Sequence, residues 1–274
     1  MIFVPRLRPI IDNTDVVLTE IFYESRFTTI DDARNDGEHI HDFYEIYVNL
    51  AGDVSFLVED NLYAIARGDI ILSAPNKLHR CIYHSDCVHE HFCVWMKDIP
   101  YAPLKEQMKN SHKIVLPDQQ RDALIQHCFT FNNCHDDPSL QFRAAQSFFG
   151  ILDIISSGAV QSQTGPQILP EPLSEIMNYI SSRFKDPTCT TTQICKDFYI
   201  SKSTLCRRFH RYLQTTPSDY IESKRLSEAK KLLLTGHSVQ NACISSGFSD
   251  CSYFIMRFRR KFGITPYRFQ KEFI

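Results

Sequence analysis

At 274 residues the chain is long for one domain and comfortable for two. Its 43% hydrophobic and 23% charged content suits a globular fold and excludes disordered or fibrous classes. The net charge of −2 conceals two halves of opposite sign: from residue 172 onward Lys and Arg outnumber Asp and Glu by 17 to 8, and before it acids outnumber bases by 24 to 13. A basic terminal half attracts phosphates, an acidic front half does not, and two jobs are expected. No apolar run approaches the ~20 residues of a membrane span. The start, MIFVPRLRPIID, lacks the basic, apolar and cleavage segments of a signal peptide. A cytoplasmic chain with no membrane partner is therefore expected.

In chain order, segments 15–30, 45–59, 63–73 and 88–96 are rich in Val, Ile, Phe and Tyr and read as strands. Turn signals separate them at Asn35-Asp36-Gly37, Gly52-Asp53, Arg67-Gly68-Asp69 and Ala74-Pro75-Asn76. Short strands at this spacing predict a sandwich or barrel. Segment 117–158 reads as two helices broken at Cys134-His135-Asp136-Asp137-Pro138. Leu124, Cys128 and Phe131 share one face, and Phe142, Ala145, Phe149, Leu152 and Ile155 the next. A Gly-, Pro- and Ser-containing linker follows, to residue 171. The ten cysteines form no CxxC pair or regular framework, so reduced thiols are expected, with a thiol-sensing role as the alternative.

The last part of the chain carries one pattern twice. Leu205-Cys206-Arg207-Arg208-Phe209-His210-Arg211 precedes Thr216-Pro217, and Phe254-Ile255-Met256-Arg257-Phe258-Arg259-Arg260 precedes Thr265-Pro266. Such a repeat marks one structural unit used twice. Leu205, Phe209 and Leu213 form a buried stripe in the first copy; Phe254, Phe258 and Phe262 form it in the second. A shorter helix precedes each, at 191–198 and 239–246, with turns at Tyr199-Ile200 and Gly247-Phe248. Helix, tight turn and basic helix is the layout whose second helix enters the DNA major groove.

These residues identify a resemblance to the AraC/XylS family of bacterial transcription regulators. It is carried by Gly247-Phe248-Ser249-Asp250, Tyr253-Phe254, Phe258-Arg259-Arg260, Gly263, Thr265-Pro266 and Tyr267-Arg268, with Arg225-Leu226, Ala229 and Leu232-Leu233 in a long middle helix. Gln214, where Gly is usual, and Ala242-Cys243, where Ile-Ala is usual, depart from the pattern. The resemblance implies seven helices in this half, the first at 174–184 with Ile176, Tyr179 and Ile180 inward. The middle helix at 218–234 would set the two readers in successive grooves roughly 34 Å apart. It also maps base contacts onto Ser203, Cys206 and Arg207 in the first unit and Cys251, Ser252, Ile255 and Met256 in the second. Arg207 can pair bidentately with guanine, whereas Ile255 and Met256 offer only apolar contact. Lys202, His210, Arg211, Arg259, Arg260 and Lys261 are candidates for phosphates.

The front half resembles the cupin barrel of such regulators through His39-Ile40-His41, Glu45, Gly52, Gly68-Asp69, Pro75 and His79. The Gly that metal-binding cupins place after the proline is missing. His39 and His41, alternate residues on a strand, would point inward together. With Glu45, His79 and His91 they would line an effector pocket; His39, His41, Glu45 and His79 would otherwise ligate a transition metal or serve structure alone. Cys93 could face the same cavity as His91.

The expected architecture is a two-domain α+β chain: a cupin-like barrel at 1–116, a helical dimerisation segment at 117–158, a linker at 159–171 and an all-α double helix-turn-helix domain at 172–274. The expected function is that of an effector-responsive regulator without cofactor. It would be a homodimeric activator answering to a small molecule, a sugar by family analogy, and acting on promoter DNA with RNA polymerase. The alternative is a metal-dependent cupin enzyme with an appended DNA-binding half.

Overall fold

A computed structural model describes residues 17–31, 39–99, 102–157 and 169–273. The opening segment, the Asn35-Asp36-Gly37 turn and linker residues 158–168 lie outside these. The chain forms two compact units, Met1–Ile168 and Leu169–Ile274.

The first unit has eight strands among the described residues: β1 (Val17–Thr28), β2 (Tyr44–Ala51), β3 (Val54–Val58), β4 (Asn61–Ala64), β5 (Ile70–Ser73), β6 (His79–Tyr83), β7 (Cys87–Asp98) and β8 (His112–Ile114). They make a five-stranded sheet in the order β1-β7-β2-β5-β8 and a three-stranded sheet β4-β3-β6, antiparallel throughout. Helices α1 (Ala102–Gln107), α2 (Asp118–Cys134) and α3 (Gln141–Ser157) complete it. Side chains alternate across a strand, and here both faces of the larger sheet are buried. Ile46, Val48, Phe92, Val94 and Met96 pack under Leu124, Phe131, Phe148 and Ile151 of the helices. Tyr47, Cys93 and Ile71 point the other way, toward Phe56, Val58 and Tyr83 of the smaller sheet.

Several expectations need correction. The segments 45–59 and 63–73 each split into two strands at their glycine turns, and β6 and β8 had no strong pattern of their own. On α3 Ala145 and Ile155 are buried as expected, together with Ala144, Phe148 and Ile151, while Phe142 is 73% exposed. Phe148 lies fully within this core, whereas Phe149 and Leu152 are only partly buried against it. His39 lies in an isolated bridge to His79 and His41 in irregular backbone before β2, so neither occupies a regular strand.

The second unit has seven helices among the described residues: α4 (Leu173–Arg183), α5 (Thr191–Asp197), α6 (Lys202–Leu213), α7 (Pro217–Leu234), α8 (Val239–Ser245), α9 (Cys251–Phe262) and α10 (Pro266–Phe273). Helices α5 to α9 start where Thr190, Ser201, Thr216, Ser238 and Asp250 accept backbone N–H groups at their N-termini. On α4, Met177 rather than Tyr179 turns inward, because Tyr179 donates its hydroxyl to Asp197 at the edge. No helix among the described residues is long and apolar enough to cross a membrane.

The repeat is visible in the backbone. Both α6 and α9 end in a left-handed residue, Gln214 at φ 49° and Gly263 at φ 79°. Both inter-helix turns use positive φ, 51° at Tyr199 and 94° at Gly247. Only the second has a steric demand as well: a Cβ on Gly247 would sit 2.6 Å from the Phe184 carbonyl oxygen and 2.9 Å from that of Lys185. Gly247→Ala is expected to destabilise the helical unit by about 1–3 kcal/mol, measured as a lower urea midpoint; an unchanged midpoint would mean that the turn relaxes freely.

Candidate functional site: a buried polar cavity and two exposed basic helices

Strand register builds a cavity of about 560 Å³ between the sheets. On β1, Phe22, Glu24 and Arg26 stand opposite Cys93, His91 and His89 of β7, and Glu45 and Tyr47 of β2 stand opposite Trp95 and Cys93. These side chains line the space together with His39, His41, Phe43, Phe56 and Tyr83. His39, His41, Glu45, His79, His91 and Cys93 thus converge on one region; all but His79, which lies fully buried behind, line the cavity itself.

Glu45 is the electrostatic centre. Its Oε2 lies 2.9 Å from His41 Nε2 and 2.8 Å from His79 Nε2, and its Oε1 accepts from Cys93 Sγ at 3.5 Å. Burial alone would raise the carboxyl pKa; the imidazoles of His79 and His41 outweigh it and hold Glu45 well below the usual range. Burial would lower His79, but Glu45 and the Lys77 carbonyl prevail and raise it. Each imidazole is oriented from behind, His79 Nδ1 donating to Lys77 O and His41 Nδ1 to Phe43 O. His79 Nε2 is within ion-pair distance of Glu45 but lacks the alignment of a hydrogen bond.

One atom each from His39, Glu45 and His79 lies within 4.8 Å of the others, a spacing that could hold a metal ion. His79, fixed through Nδ1, directs Nε2 to this point as a metal ligand does.

His91 Nδ1 and Trp95 Nε1 are buried without a hydrogen-bond partner among the described residues. Trp95 meets Phe22 edge-on at 4.9 Å and Phe43 at 4.8 Å, so an aromatic wall flanks the polar groups. Pattern reading missed Trp95, Glu24, Tyr47, Tyr83 and His89, which had no spacing signal; only the register assembles them.

His89 sits between two hydroxyls, its Nε2 2.7 Å from Tyr47 and its Nδ1 2.6 Å from Tyr83. A neutral imidazole serves both, donating to one and accepting from the other. Burial, then neighbouring His91 and Arg26, depress its pKa to about 3.

In the helical unit the sequence-predicted DNA residues occupy the outer faces of α6 and α9. Lys202, Ser203, Arg207, His210 and Arg211 are exposed and Cys206 is half-buried. On α9, Ser252, Ile255, Met256, Arg259 and Arg260 line one shallow concavity, while Cys251 and Lys261 are half-buried. Arg257 is not among the exposed bases: its guanidinium grips Glu222 of α7, which also accepts from the Tyr253 hydroxyl at 2.6 Å. Arg225, on the same helix, donates to the carbonyls of Phe184, Asp186 and Cys189.

Two capped helix-turn-helix units on one central helix, with cationic second helices, and a barrel holding a ligand-sized cavity define a DNA-binding transcription regulator with a ligand-binding domain. Family models and curated relatives agree. The family model described as a helix-turn-helix domain matches residues 194–272, and that of the AraC-like ligand binding domain matches residues 24–139. The chain is 27% identical over 224 residues to the uncharacterized HTH-type transcriptional regulator YbfI of Bacillus subtilis, covering 78% of this chain and 80% of that one. It is 24% identical to the HTH-type transcriptional activator RhaR of Mannheimia succiniciproducens, covering 86% and 87%. ToxT of Vibrio cholerae is a structural neighbour at 14% identity and TM-score 0.38, covering 93% and 98%. The chain belongs to the AraC/XylS family of transcription regulators.

The neutral state of His89 makes acid stability testable. An unfolded chain protonates this histidine near its ordinary 6.5, the folded one only near 3, so the unfolded state binds the extra proton between them. Stability is full above pH 6.5 and falls as pH drops toward 3. His89→Asn should flatten that slope in thermal unfolding at stepped pH; an unaltered slope would assign it to other groups.

Proposed function

We propose that the chain is an activator whose promoter occupancy answers to a small polyhydroxylated effector, a sugar, in the barrel cavity. One observation carries this reading: two buried polar atoms on the wall of one cavity, His91 Nδ1 and Trp95 Nε1, have no hydrogen-bond partner among the described residues. Buried polar groups are nearly always paired, so their clustering marks a place that a ligand completes. The Glu24 and Glu45 carboxylates would accept hydroxyl donors, and Trp95 and Phe43 offer flat faces for a sugar ring. The relative RhaR is named an activator, which supports recruitment of RNA polymerase. Effector binding would shift the freedom of the DNA-binding unit across the 159–171 linker. Pairing of two chains through the helical segment 117–158, where Phe142 is exposed, would make the homodimer.

Trp95 is the chain's one tryptophan, so its emission reports on the cavity directly. A panel of monosaccharides should contain one that shifts this emission and changes affinity for a duplex selected from a random pool, and Glu45→Gln should abolish both responses. Silence across the panel in both measurements would overturn the sugar assignment.

On α6, Arg207 is assigned to a guanine edge. Arg207→Ala should lower affinity for the selected duplex by ~1–3 kcal/mol and leave random DNA nearly unaffected. Equal weakening on both would make it a phosphate contact. The remaining base and phosphate roles follow the same exposed faces.

The ligand geometry favours a second reading of the barrel. His39, Glu45 and His79 would hold a divalent transition metal, which would polarise a bound oxygen as a Lewis acid, as in a metal-dependent cupin enzyme. Elemental analysis of the purified protein, with His79→Ala as control, separates the two: stoichiometric metal lost in the variant supports this reading.

A further inference from the structure

Two thiols face one another in the second helix-turn-helix unit. Cys243 of α8 is fully buried against Phe254 and Phe258, and Cys251, half-buried, opens α9. Their sulfurs lie 3.0 Å apart. A disulfide needs about 2.05 Å, so closure calls for a movement of only about 1 Å. The first unit has Cys195 at the matching scaffold position, but Lys202 opens its second helix. The facing pair belongs to the second unit alone.

We propose that Cys243 and Cys251 are an oxidative modification site, a dithiol that hydrogen peroxide closes to a disulfide, weakening DNA binding. The sulfur of Cys251, which solvent reaches, attacks one peroxide oxygen; the O–O bond breaks, one water leaves and Cys251 becomes a sulfenic acid. The sulfur of Cys243 then attacks that of Cys251, the S–O bond breaks, and hydroxide leaves with the Cys243 proton as a second water. Two thiols lose two electrons and two protons, and peroxide is reduced to two waters. Burial, with Cys251 beside it, pushes the Cys243 thiol up to about 12, so on its own it is a poor target for peroxide and acts as the resolving partner.

The consequence falls on DNA. Cys251 directly follows Asp250, whose carboxylate accepts from Ser252 N at 2.7 Å and Tyr253 N at 3.0 Å. Drawing Cys251 toward α8 disturbs this cap and the first turn of α9, which presents Ser252. Recognition geometry tolerates displacements of roughly 0.5 Å. The inference rests on the DNA-binding reading for its regulatory half, while the linkage itself is measured without DNA.

Full-length reduced protein is treated with stoichiometric peroxide, remaining thiols are alkylated, and the chain is cut with trypsin. Both cysteines fall in the single tryptic peptide 232–257. That peptide should be lighter by two hydrogens and unalkylated, and dithiothreitol should reverse both changes. Affinity for a duplex selected by the reduced protein should fall about tenfold, close to 1.4 kcal/mol, and recover on reduction. Cys243→Ala should bind as the reduced protein does and form no linked peptide with peroxide; Cys243→Val serves if the alanine variant folds poorly. A linkage between Cys195 and Cys206 instead, or irreversible oxidation of Cys251 without a bridge, overturns the proposal. A linked peptide with unchanged DNA affinity overturns its regulatory half, whereas a reduced protein that selects no duplex counts against the DNA reading.

Discussion

The helical unit depends on what α7 holds at its sides. Arg225 closes three carbonyls at and beyond the end of α4, and Glu222, close by on the same helix, takes both Tyr253 and Arg257 of α9. Carbonyls past a helix end need partners, and a guanidinium with its fixed fork of donors can serve several at once. Against the Phe184 carbonyl and the Arg225 side chain sits Gly247, with no room for a side chain. The first unit, the central helix and the second unit thereby share one polar junction. Rigid attachment of the two reading helices is a condition for specificity, since a duplex offers its grooves at fixed intervals.

Cations in this unit divide into two groups by what surrounds them. Lys224 and Lys230 are buried along α7, with their ammonium groups over the rings of Phe184 and Tyr220 and of Phe262 and Phe269. They cover apolar surface with their stems and hold the bundle together. Arg207, Arg211, Arg259 and Arg260 stand outward, where field and reach favour phosphate and base edges. The positive balance of this half is therefore partly architecture and partly interface.

In the barrel, function follows from a sheet with no wet face. Helices α2 and α3 take one side, so the other is free to turn histidines, carboxylates and aromatics into an enclosed space. A carboxylate is stable there only because imidazoles surround it: the paired ions repay a desolvation that neither could bear alone. That balance keeps a charged carboxylate in the cavity wall, its Oε2 held between the imidazoles of His41 and His79.

Much of this was legible in the chain itself. The Leu205/Phe209/Leu213 and Phe254/Phe258/Phe262 stripes, the Ser, Thr and Asp caps and Gly247 are local signals, and local signals suffice for a helix whose hydrogen bonds are internal. His39, His41, Glu45 and His79 were found through the resemblance to the cupin barrel. The cavity's remaining wall was not, because Trp95, His89, Tyr47 and Glu24 meet only through antiparallel register, and pairing across a sheet leaves no mark at either position alone. The same holds for Cys243 and Cys251, and for Arg257, which looks like one more exposed base until Glu222 is seen beside it. Sequence determined which elements form and which half carries positive charge; tertiary structure decided which side chains meet, since a contact is a property of two segments and a pattern of only one.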